Sequence, residues 1–270
     1  MPAGTNIPFF KFSATGNDFI LFDNRERIFT GDEVDFFRKI CERRMSVGAD
    51  GVLLIERHPD YDFRMRYINA DGSETACGNG ARSAAYFAHH QGWCGESVSF
   101  VAGDDVVEAL VRGRTVKLKM PEPRDYSERP GVLEESGWHE GGFINTGVPH
   151  YVLFGRNVAH EDVLPLGQKY RSHPHFRPDG TNVDFVEVDS PDLIRVRTYE
   201  RGVENETLSC GTGCVASAIL SNVQGKTGFP ITVLTPGGEL KVLKDATGRY
   251  LLEGEVTLVF EGKLTDRRRE

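Results

Sequence analysis

The chain has 270 residues, which is enough for one large domain or for two domains of ordinary size. Hydrophobic residues make up 39% and charged residues 27%, as in an ordinary soluble globular protein, and the net charge of −8 disfavours nucleic acid and anionic membrane surfaces as partners. No apolar run approaches the roughly 18–20 residues that a membrane-spanning helix needs.

The termini and the cysteines predict a cytoplasmic protein with free thiols. Residues 1–5 lack the basic region and apolar stretch of a secretory signal. The basic tail, residues 267–269, is interpreted as a solvated end. The number of cysteines is odd, and in a reducing compartment this argues against a disulfide framework. The five cysteines are Cys41, Cys77, Cys94, Cys210 and Cys214.

The first half of the chain predicts strands on either side of one helix. Residues 63–68 alternate arginine with apolar side chains, which is typical of a strand. Residues 81–91 are rich in alanine and stop before Gly92, which predicts a helix packed on most of its sides. Residues 106–118 predict a hairpin that turns near Gly113.

The next segment, residues 121–141, contains three prolines and five glutamates and is predicted to be a linker with some local structure. A second set of elements follows. Residues 193–199 predict a strand, residues 214–224 a helix that stops before Gly225, and residues 240–252 a hairpin that turns near Gly248. A further apolar strand at residues 256–260 is expected to return to the first half and complete its sheet.

The two halves share landmarks at a nearly constant separation, which indicates an internal repeat. The separations are 131, 132, 133 and 134 residues for the pairs Gly16 and Gly147, Gly48 and Gly180, Cys77 and Cys210, and Gly103 and Gly237. Chance similarity between short motifs is the alternative, and agreement across four landmarks disfavours it. We therefore predict an α+β fold of two homologous halves, each a curved, mostly antiparallel sheet wrapped around a central helix.

The predicted halves are residues 1–120, completed by residues 256–270, and residues 121–255. The active site is expected in the cleft between them.

Cys77 and Cys210 each open a Cys-Gly-polar-Gly motif at a predicted helix start. Free N–H groups and the helix dipole favour negative charge there, so the thiol pKa should fall and a substrate carboxylate could dock on the same groups. A thiol on each wall of a cleft suits two-base inversion of a stereocentre. The alternatives are two buried structural cysteines or, for Cys210 with Cys214, part of a metal site.

These motifs resemble the paired signatures of the diaminopimelate epimerase family. The first signature is residues 69–82, NADGSETACGNGAR, and the second is residues 200–213, ERGVENETLSCGTG. The resemblance covers roughly residues 9–260. It implies an isomerase that interconverts LL- and meso-diaminopimelate in lysine and peptidoglycan precursor biosynthesis, without a cofactor or metal, and as a homodimer.

The resemblance also implies a role for individual residues. Cys77 and Cys210 would be the proton donor and acceptor, and His150 and Glu200 would tune their protonation. Main-chain N–H groups would hold the α-carboxylate, namely those of Gly78, Asn79, Gly211 and Thr212. Side chains would bind the rest of the substrate, namely those of Asn17, Asn69, Asn79, Asn182, Glu200 and Arg201.

Several alternatives remain open at this point. The asparagines could be turn formers, His150 a loop residue, and Glu200 with Arg201 a surface ion pair. The chain could also be another isomerase of the same fold that acts on proline, hydroxyproline or a phenazine precursor. A two-lobed binding protein without catalysis would retain the repeat but would not require a thiol in each half.

Overall fold

The computed structural model describes residues 6–30, 33–128, 138 and 140–265, so the basic tail at residues 267–269 lies outside the described residues. The chain divides into two compact units, Met1–Leu118 with Glu255–Glu270, and Lys119–Gly254. Among the described helices, none is long and apolar enough to cross a membrane.

The first unit contains seven consecutive strands and two helices within the described residues. The strands are β1 (Asn6–Ala14), β2 (Asn17–Asp23), β3 (Gly51–Glu56), β4 (Phe63–Asn69), β5 (Ser97–Ala102), β6 (Asp105–Arg112) and β7 (Thr115–Lys119). The helices are α1 (Val34–Cys41) and α2 (Gly78–His90). Pairing runs from β1 to β7 in chain order, antiparallel except for the parallel pairs β2–β3 and β4–β5.

The second unit repeats this arrangement. Its strands are β8 (Arg124–Ser127), β9 (Glu140–Asn145), β10 (Pro149–Phe154), β11 (Asn182–Ser190), β12 (Leu193–Glu200), β13 (Asn205–Thr207), β14 (Ile231–Thr235), β15 (Gly238–Lys244) and β16 (Tyr250–Glu255), and its helices are α3 (Val163–Arg171) and α4 (Gly211–Val223). The pairs β10–β11 and β12–β14 are parallel, and β9–β10, β11–β12, β14–β15 and β15–β16 are antiparallel. The same order of parallel and antiparallel pairs in both units confirms the predicted repeat.

The last strand, β17 (Thr257–Thr265), pairs antiparallel with β1. The chain end therefore pairs with the first strand of the first unit. In the segment predicted as a linker, β8 pairs with β9, while residues 129–137 and 139 lie outside the described residues.

Both predicted central helices are present, and each begins three residues earlier than expected. Their first turns include the Gly-polar-Gly residues of the motifs. They end before Gly92 and Gly225, whose φ angles of 71° and 72° lie in the left-handed region that favours glycine. Phe87 of α2 is buried, which stabilises the fold by about 1.5–3 kcal/mol relative to an exposed side chain.

The helices α1 and α3 were not predicted from the sequence. Helix α3 contains Pro165 and Gly167, and both residue types disfavour a helix interior. A Cβ at Gly167 would lie 2.4 Å from Tyr199, so the absence of a side chain lets α3 pack closely on β12. Tertiary packing therefore outweighs local propensity in this segment.

Candidate active site

Cys77 is the residue that caps the N-terminus of α2. Its extended backbone turns the thiol toward the first helical turn, where the N–H of Gly80 donates to Sγ at 3.4 Å. The thiol in turn lies 3.5 Å from Oδ1 of Asn17. Cys77 is half-buried. The sulfur is thus held at the helix start and remains open to a ligand.

The amide of Asn17 has a defined orientation. Its Nδ2 donates to Oδ2 of Asp50 at 2.6 Å, and a carboxylate accepts but does not donate. Oδ1 therefore faces Cys77, and it also accepts from Nδ2 of Asn79 at 3.5 Å. This unit thus brings three of the predicted residues together.

Asp50 belongs to a network of charged side chains. Arg43 donates to Asp18 at 2.6 Å and to Asp50 at 2.7 Å, and Lys11 donates to Asp18 at 2.7 Å. Burial by itself would raise the pKa of Asp18, but the hydrogen bonds and charges of Arg43 and Lys11 outweigh it and hold that pKa below its usual value.

Asn69 lies at the end of β4. Its side-chain amide donates to the hydroxyls of Ser73 and Thr75 at 3.0 and 3.1 Å. Its backbone is opposite Gly51 in the β3–β4 register, and the next residue donates its N–H to the carbonyl of Asp50. The loop after β4 is therefore anchored to the strand end that carries Asp50.

Cys210 occupies the equivalent position before α4, but its environment differs. It is 7% exposed, and its sulfur lies 3.4 Å from Oγ1 of Thr212. Burial raises the pKa of this thiol well above its ordinary value, and the negative charges of Glu200 and Asp184 act in the same direction. The Thr212 hydroxyl and the Gly213 N–H oppose these effects but are smaller.

The expected lowering of the thiol pKa at a helix start is therefore wrong for Cys210. A helix N-terminus stabilises a thiolate by partial charges that act over about one turn. Desolvation and two nearby carboxylates outweigh them at this buried position.

His150 lies at the start of β10 and is fully buried. Its Nδ1 lies 2.7 Å from Oδ2 of Asp184, and its Nε2 lies 3.0 Å from Oγ1 of Thr212. The other oxygen of Asp184 accepts from the hydroxyl of Thr198 at 2.7 Å. The structure thus places His150 next to the Cys210 motif of the same unit.

Glu200, at the end of β12, accepts from the hydroxyl of Thr207 at 2.8 Å. Burial raises the pKa of this carboxyl, and the charge of Asp184 adds to the rise, while Thr207 and His150 oppose it. Glu200 is therefore a half-buried carboxyl whose charge acts on the Cys210 thiol, and not half of an exposed ion pair with Arg201.

Asn182 connects two segments of the second unit. Its Nδ2 donates to the carbonyl of Pro149 at 3.0 Å, and its Oδ1 accepts from the N–H of Arg201 at 2.8 Å. The guanidinium of Arg201 donates to the carbonyl of Asp179 at 2.8 Å. Both side chains therefore order the loops next to Glu200.

The main-chain groups predicted to hold a carboxylate lie in the first turns of α2 and α4. The first helical bonds within these helices are donated by Ala81 to Cys77 and by Cys214 to Cys210. The N–H groups of a first helical turn precede the regular pattern of helical hydrogen bonds, and such groups attract anions. The first turns of α2 and α4 include Gly78, Asn79, Gly211 and Thr212.

The remaining cysteines are not part of the two Cys-Gly-polar-Gly motifs. Burial raises the pKa of both Cys41 and Cys94 to about 11, and Cys214 is fully buried within α4. Within the described ranges, no group of three or more His, Cys, Asp or Glu side chains is placed to hold a metal ion.

Sequence reasoning did not single out Asp50, Asp184 or Thr198 as parts of the site. Asp50 and Asp184 do lie shortly after Gly48 and Gly180, which are a pair of landmarks of the repeat. The contacts of these residues with the site depend on which strands lie next to each other in the sheet. Thr198 contacts Asp184 because β11 and β12 place these two residues opposite each other.

The comparisons by sequence point to the diaminopimelate epimerase family. The diaminopimelate epimerase family model matches residues 9–124 and 142–259. The diaminopimelate epimerase of Aquifex aeolicus is 41% identical over 96% of this chain and 98% of its own length. That of Chlorobaculum tepidum is 42% identical over 94% and 99%, and that of Archaeoglobus fulgidus is 41% identical over 96% of both chains.

Solved structures share the fold at low sequence identity. A Bacillus anthracis phenazine biosynthesis protein of the PhzF family is 14% identical, with a TM-score of 0.75, over 96% of this chain and 99% of that chain. A hydroxyproline epimerase of Agrobacterium vitis is 13% identical, with a TM-score of 0.63, over 97% and 94%.

Proposed function

The chain belongs to the diaminopimelate epimerase family, and on that premise we propose that it interconverts LL- and meso-diaminopimelate without a cofactor, in lysine and peptidoglycan precursor biosynthesis. The observation that carries the proposal is the recurrence of a cysteine at the N-terminus of the equivalent helix in each unit. A buried structural cysteine would not have to recur at the same position within a glycine-rich helix start.

The proposed reaction is a two-base inversion at Cα. One thiolate removes the α-proton from one face, and the opposite thiol donates a proton to the other face. Reacting atoms should lie about 3–3.5 Å apart, so the sulfurs of Cys77 and Cys210 would be roughly 7 Å apart across a bound substrate. The roles exchange when the reaction runs in reverse.

The environment of Cys210 supports a neutral thiol as its starting state. Its raised pKa, caused by burial and the charges of Glu200 and Asp184, favours the neutral thiol. Cys210 is then the proton donor in one direction, and Cys77 is the base. Glu200 tunes the two cysteines because its negative charge disfavours a thiolate at Cys210 while Cys77 is a thiolate. Two thiolates would leave the site without an acid.

We further propose that the α-carboxylate docks on the first-turn N–H groups of the two central helices, namely those of Gly78, Asn79, Gly211 and Thr212. Side-chain amides and charges would hold the remaining polar groups of the substrate. These belong to Asn17, Asn69, Asn79, Asn182, Glu200 and Arg201. The defined orientations of Asn17 and Asn182 support this, since an amide already fixed by its neighbours loses little freedom on binding.

The bounds that we propose for the epimerase halves are residues 1–120 with 256–270, and residues 121–255. The two compact units have nearly the same bounds and support this division. A reducing, cytoplasmic location is proposed because the reaction needs both cysteines as thiols. The net charge of −8 supports the absence of nucleic acid as a partner.

A homodimer is proposed as the working assembly. Val259 and Phe260 are consecutive residues of β17 and are 53% and 46% exposed, so this edge of the first unit offers apolar side chains to a second copy. Light scattering of the purified protein should give twice the 30.1 kDa chain mass. Val259→Asp should shift the molecule toward the monomer.

The central test uses LL-diaminopimelate carrying deuterium at Cα. Purified protein without added cofactor should release the label to water and form the meso isomer. Proline, hydroxyproline and a phenazine precursor serve as competing substrates. Turnover of one of these in place of diaminopimelate would refute the proposed substrate while leaving the fold assignment intact.

A further inference from the structure

A continuous chain of short contacts leads from Asp184 to the sulfur of Cys210. Oδ2 of Asp184 lies 2.7 Å from Nδ1 of His150, Nε2 of His150 lies 3.0 Å from Oγ1 of Thr212, and Oγ1 of Thr212 lies 3.4 Å from Sγ of Cys210. Asp184 and His150 are fully buried. The contacts therefore form a route for a proton that does not pass through bulk water.

The direction of each hydrogen bond follows from its donor and acceptor chemistry. The carboxylate of Asp184 accepts, so Nδ1 of His150 carries a proton. In the form of the ring without a second proton, Nε2 is an acceptor, the hydroxyl of Thr212 can donate to it, and the oxygen of that hydroxyl can accept from the thiol of Cys210. In this form the proton on Cys210 points along the chain toward His150.

The fold builds this arrangement from several elements. The parallel register of β10 and β11 sets His150 opposite Asn182, two residues before Asp184. Gly213 lets α4 approach both side chains, because a Cβ there would lie 2.4 Å from Oδ1 of Asp184 and 3.2 Å from the ring of His150. The contact between the helix start and the His150–Asp184 pair therefore depends on the absence of a side chain.

We propose that the Thr212 hydroxyl, His150 and Asp184 form a relay that takes up the proton of Cys210 when Cys210 must act as the base. The S–H bond of Cys210 breaks and its proton moves to Oγ1 of Thr212, while the hydroxyl proton of Thr212 moves to Nε2 of His150. The products are a thiolate at Cys210 and an imidazolium at His150 beside Asp184. The total charge does not change.

The relay rests on the proposed function and meets one of its requirements. Epimerisation runs in both directions, so Cys210 must also start as a thiolate, although Glu200 from β12 and Asp184 from β11 oppose a negative charge there. An imidazolium at His150, on β10, supplies a positive charge next to these carboxylates. His150 and Asp184 act through Thr212 and are therefore positioning residues.

Thr212→Val tests the relay because it removes the hydroxyl and retains the main-chain N–H proposed to bind carboxylate. Loss of general acid–base assistance should lower kcat by about 10²-fold or more, while KM changes by less than about threefold. Thr212→Ser should restore most of kcat. Thr146→Val is the matched control, because it removes a hydroxyl that bonds the carbonyl of Thr212 and leaves the relay intact.

A second measurement does not depend on turnover. The rate of alkylation of Cys210 by iodoacetamide, followed by peptide mass mapping, should fall in Thr212→Val and remain near the wild-type rate in Thr212→Ser. The Nδ1 proton of His150 should give a downfield NMR signal that disappears in His150→Asn and in Asp184→Asn.

Wild-type kcat and wild-type alkylation in Thr212→Val would overturn the relay while diaminopimelate epimerisation stands. Equal losses in the Val and Ser variants, with a lowered melting temperature, would also overturn it, because the hydroxyl would then not be the active group. If the wild-type protein does not turn over diaminopimelate, the proposed function fails, and the alkylation and NMR measurements still decide the relay.

Discussion

Burial and the negative charge of Glu200 both raise the pKa of the Cys210 thiol. Glu200→Gln removes the charge and leaves the shape of the side chain. The pKa of Cys210 should then fall, but it should stay above the ordinary value because the larger effect of burial remains. The pH curve of Cys210 alkylation should shift to lower pH, and the pH profile of kcat/KM should change with it.

Glu206→Gln is the matched control for this prediction. Glu206 is a carboxylate of the same unit, but it pairs with Arg197 at 2.6 Å. The alkylation curve of this variant should overlay that of the wild type. If Glu200→Gln also overlays the wild type and loses only affinity, Glu200 binds substrate and does not tune the thiol.

The two motif cysteines should each be indispensable. Cys77→Ala or Cys210→Ala should abolish epimerisation, since inversion needs a base on one face and an acid on the other. Folding should change little, as followed by circular dichroism. Cys94→Ala, at a half-buried cysteine outside both motifs, should retain wild-type turnover. Near-normal turnover in either motif variant would refute the two-base mechanism.

Gly213 should tolerate no side chain. In Gly213→Ala the new Cβ would lie 2.4 Å from Oδ1 of Asp184, so buried groups must move apart, at a cost of about 1–3 kcal/mol in the free energy of unfolding. The displacement of His150 should also lower kcat. Chemical denaturation and steady-state kinetics measure these two effects.

Gly228→Ala is the comparison for this prediction, because a Cβ there would meet no atom within 4 Å. It should leave the free energy of unfolding within about 0.5 kcal/mol of the wild type, as for substitutions away from packed features. Equal stability of the two variants would contradict the close packing at Gly213.

Asp18 should contribute stability that is lost in acid. Its pKa lies below the usual 3.8 in the folded protein because of Arg43 and Lys11, against the opposing effect of burial. A carboxyl with a depressed pKa stabilises the fold above its unfolded pKa, and this contribution disappears as the pH falls through the folded pKa. Near pH 7, Asp18→Asn should lower the free energy of unfolding by about 1–3 kcal/mol.

The test is denaturation of both proteins between pH 7 and pH 2. The difference between wild type and Asp18→Asn should shrink as the pH falls below about 4. Asp35→Asn is the control, since Asp35 is 98% exposed and its contact with Arg38 is 3.6 Å long. A difference that stays constant down to pH 2 would contradict the ion-pair network.

The repeat, the two central helices, the hairpins and the strand that returns to the first unit were all predictable from the sequence. Each depends on a local pattern, such as the alanine-rich stretch before Gly92 or the glycine turn at Gly113. The motif cysteines were also evident, because a Cys-Gly-polar-Gly pattern at a helix start occurs twice. The short helix α3 escaped prediction since its stability comes from packing against Tyr199.

The sequence by itself determined which side chains are available, namely two cysteines, the asparagines, His150 and Glu200. Only the tertiary structure decided their protonation and their partners. Asp184 reaches His150 across 34 residues of chain, because β10 and β11 pair in parallel. Burial and the nearby carboxylates then raise the pKa of the Cys210 thiol, and they outweigh the opposite effect of its helix. Desolvation and electrostatic interactions at Cys210 come from segments that are distant in sequence. No local sequence pattern specifies how close these segments lie in the folded protein.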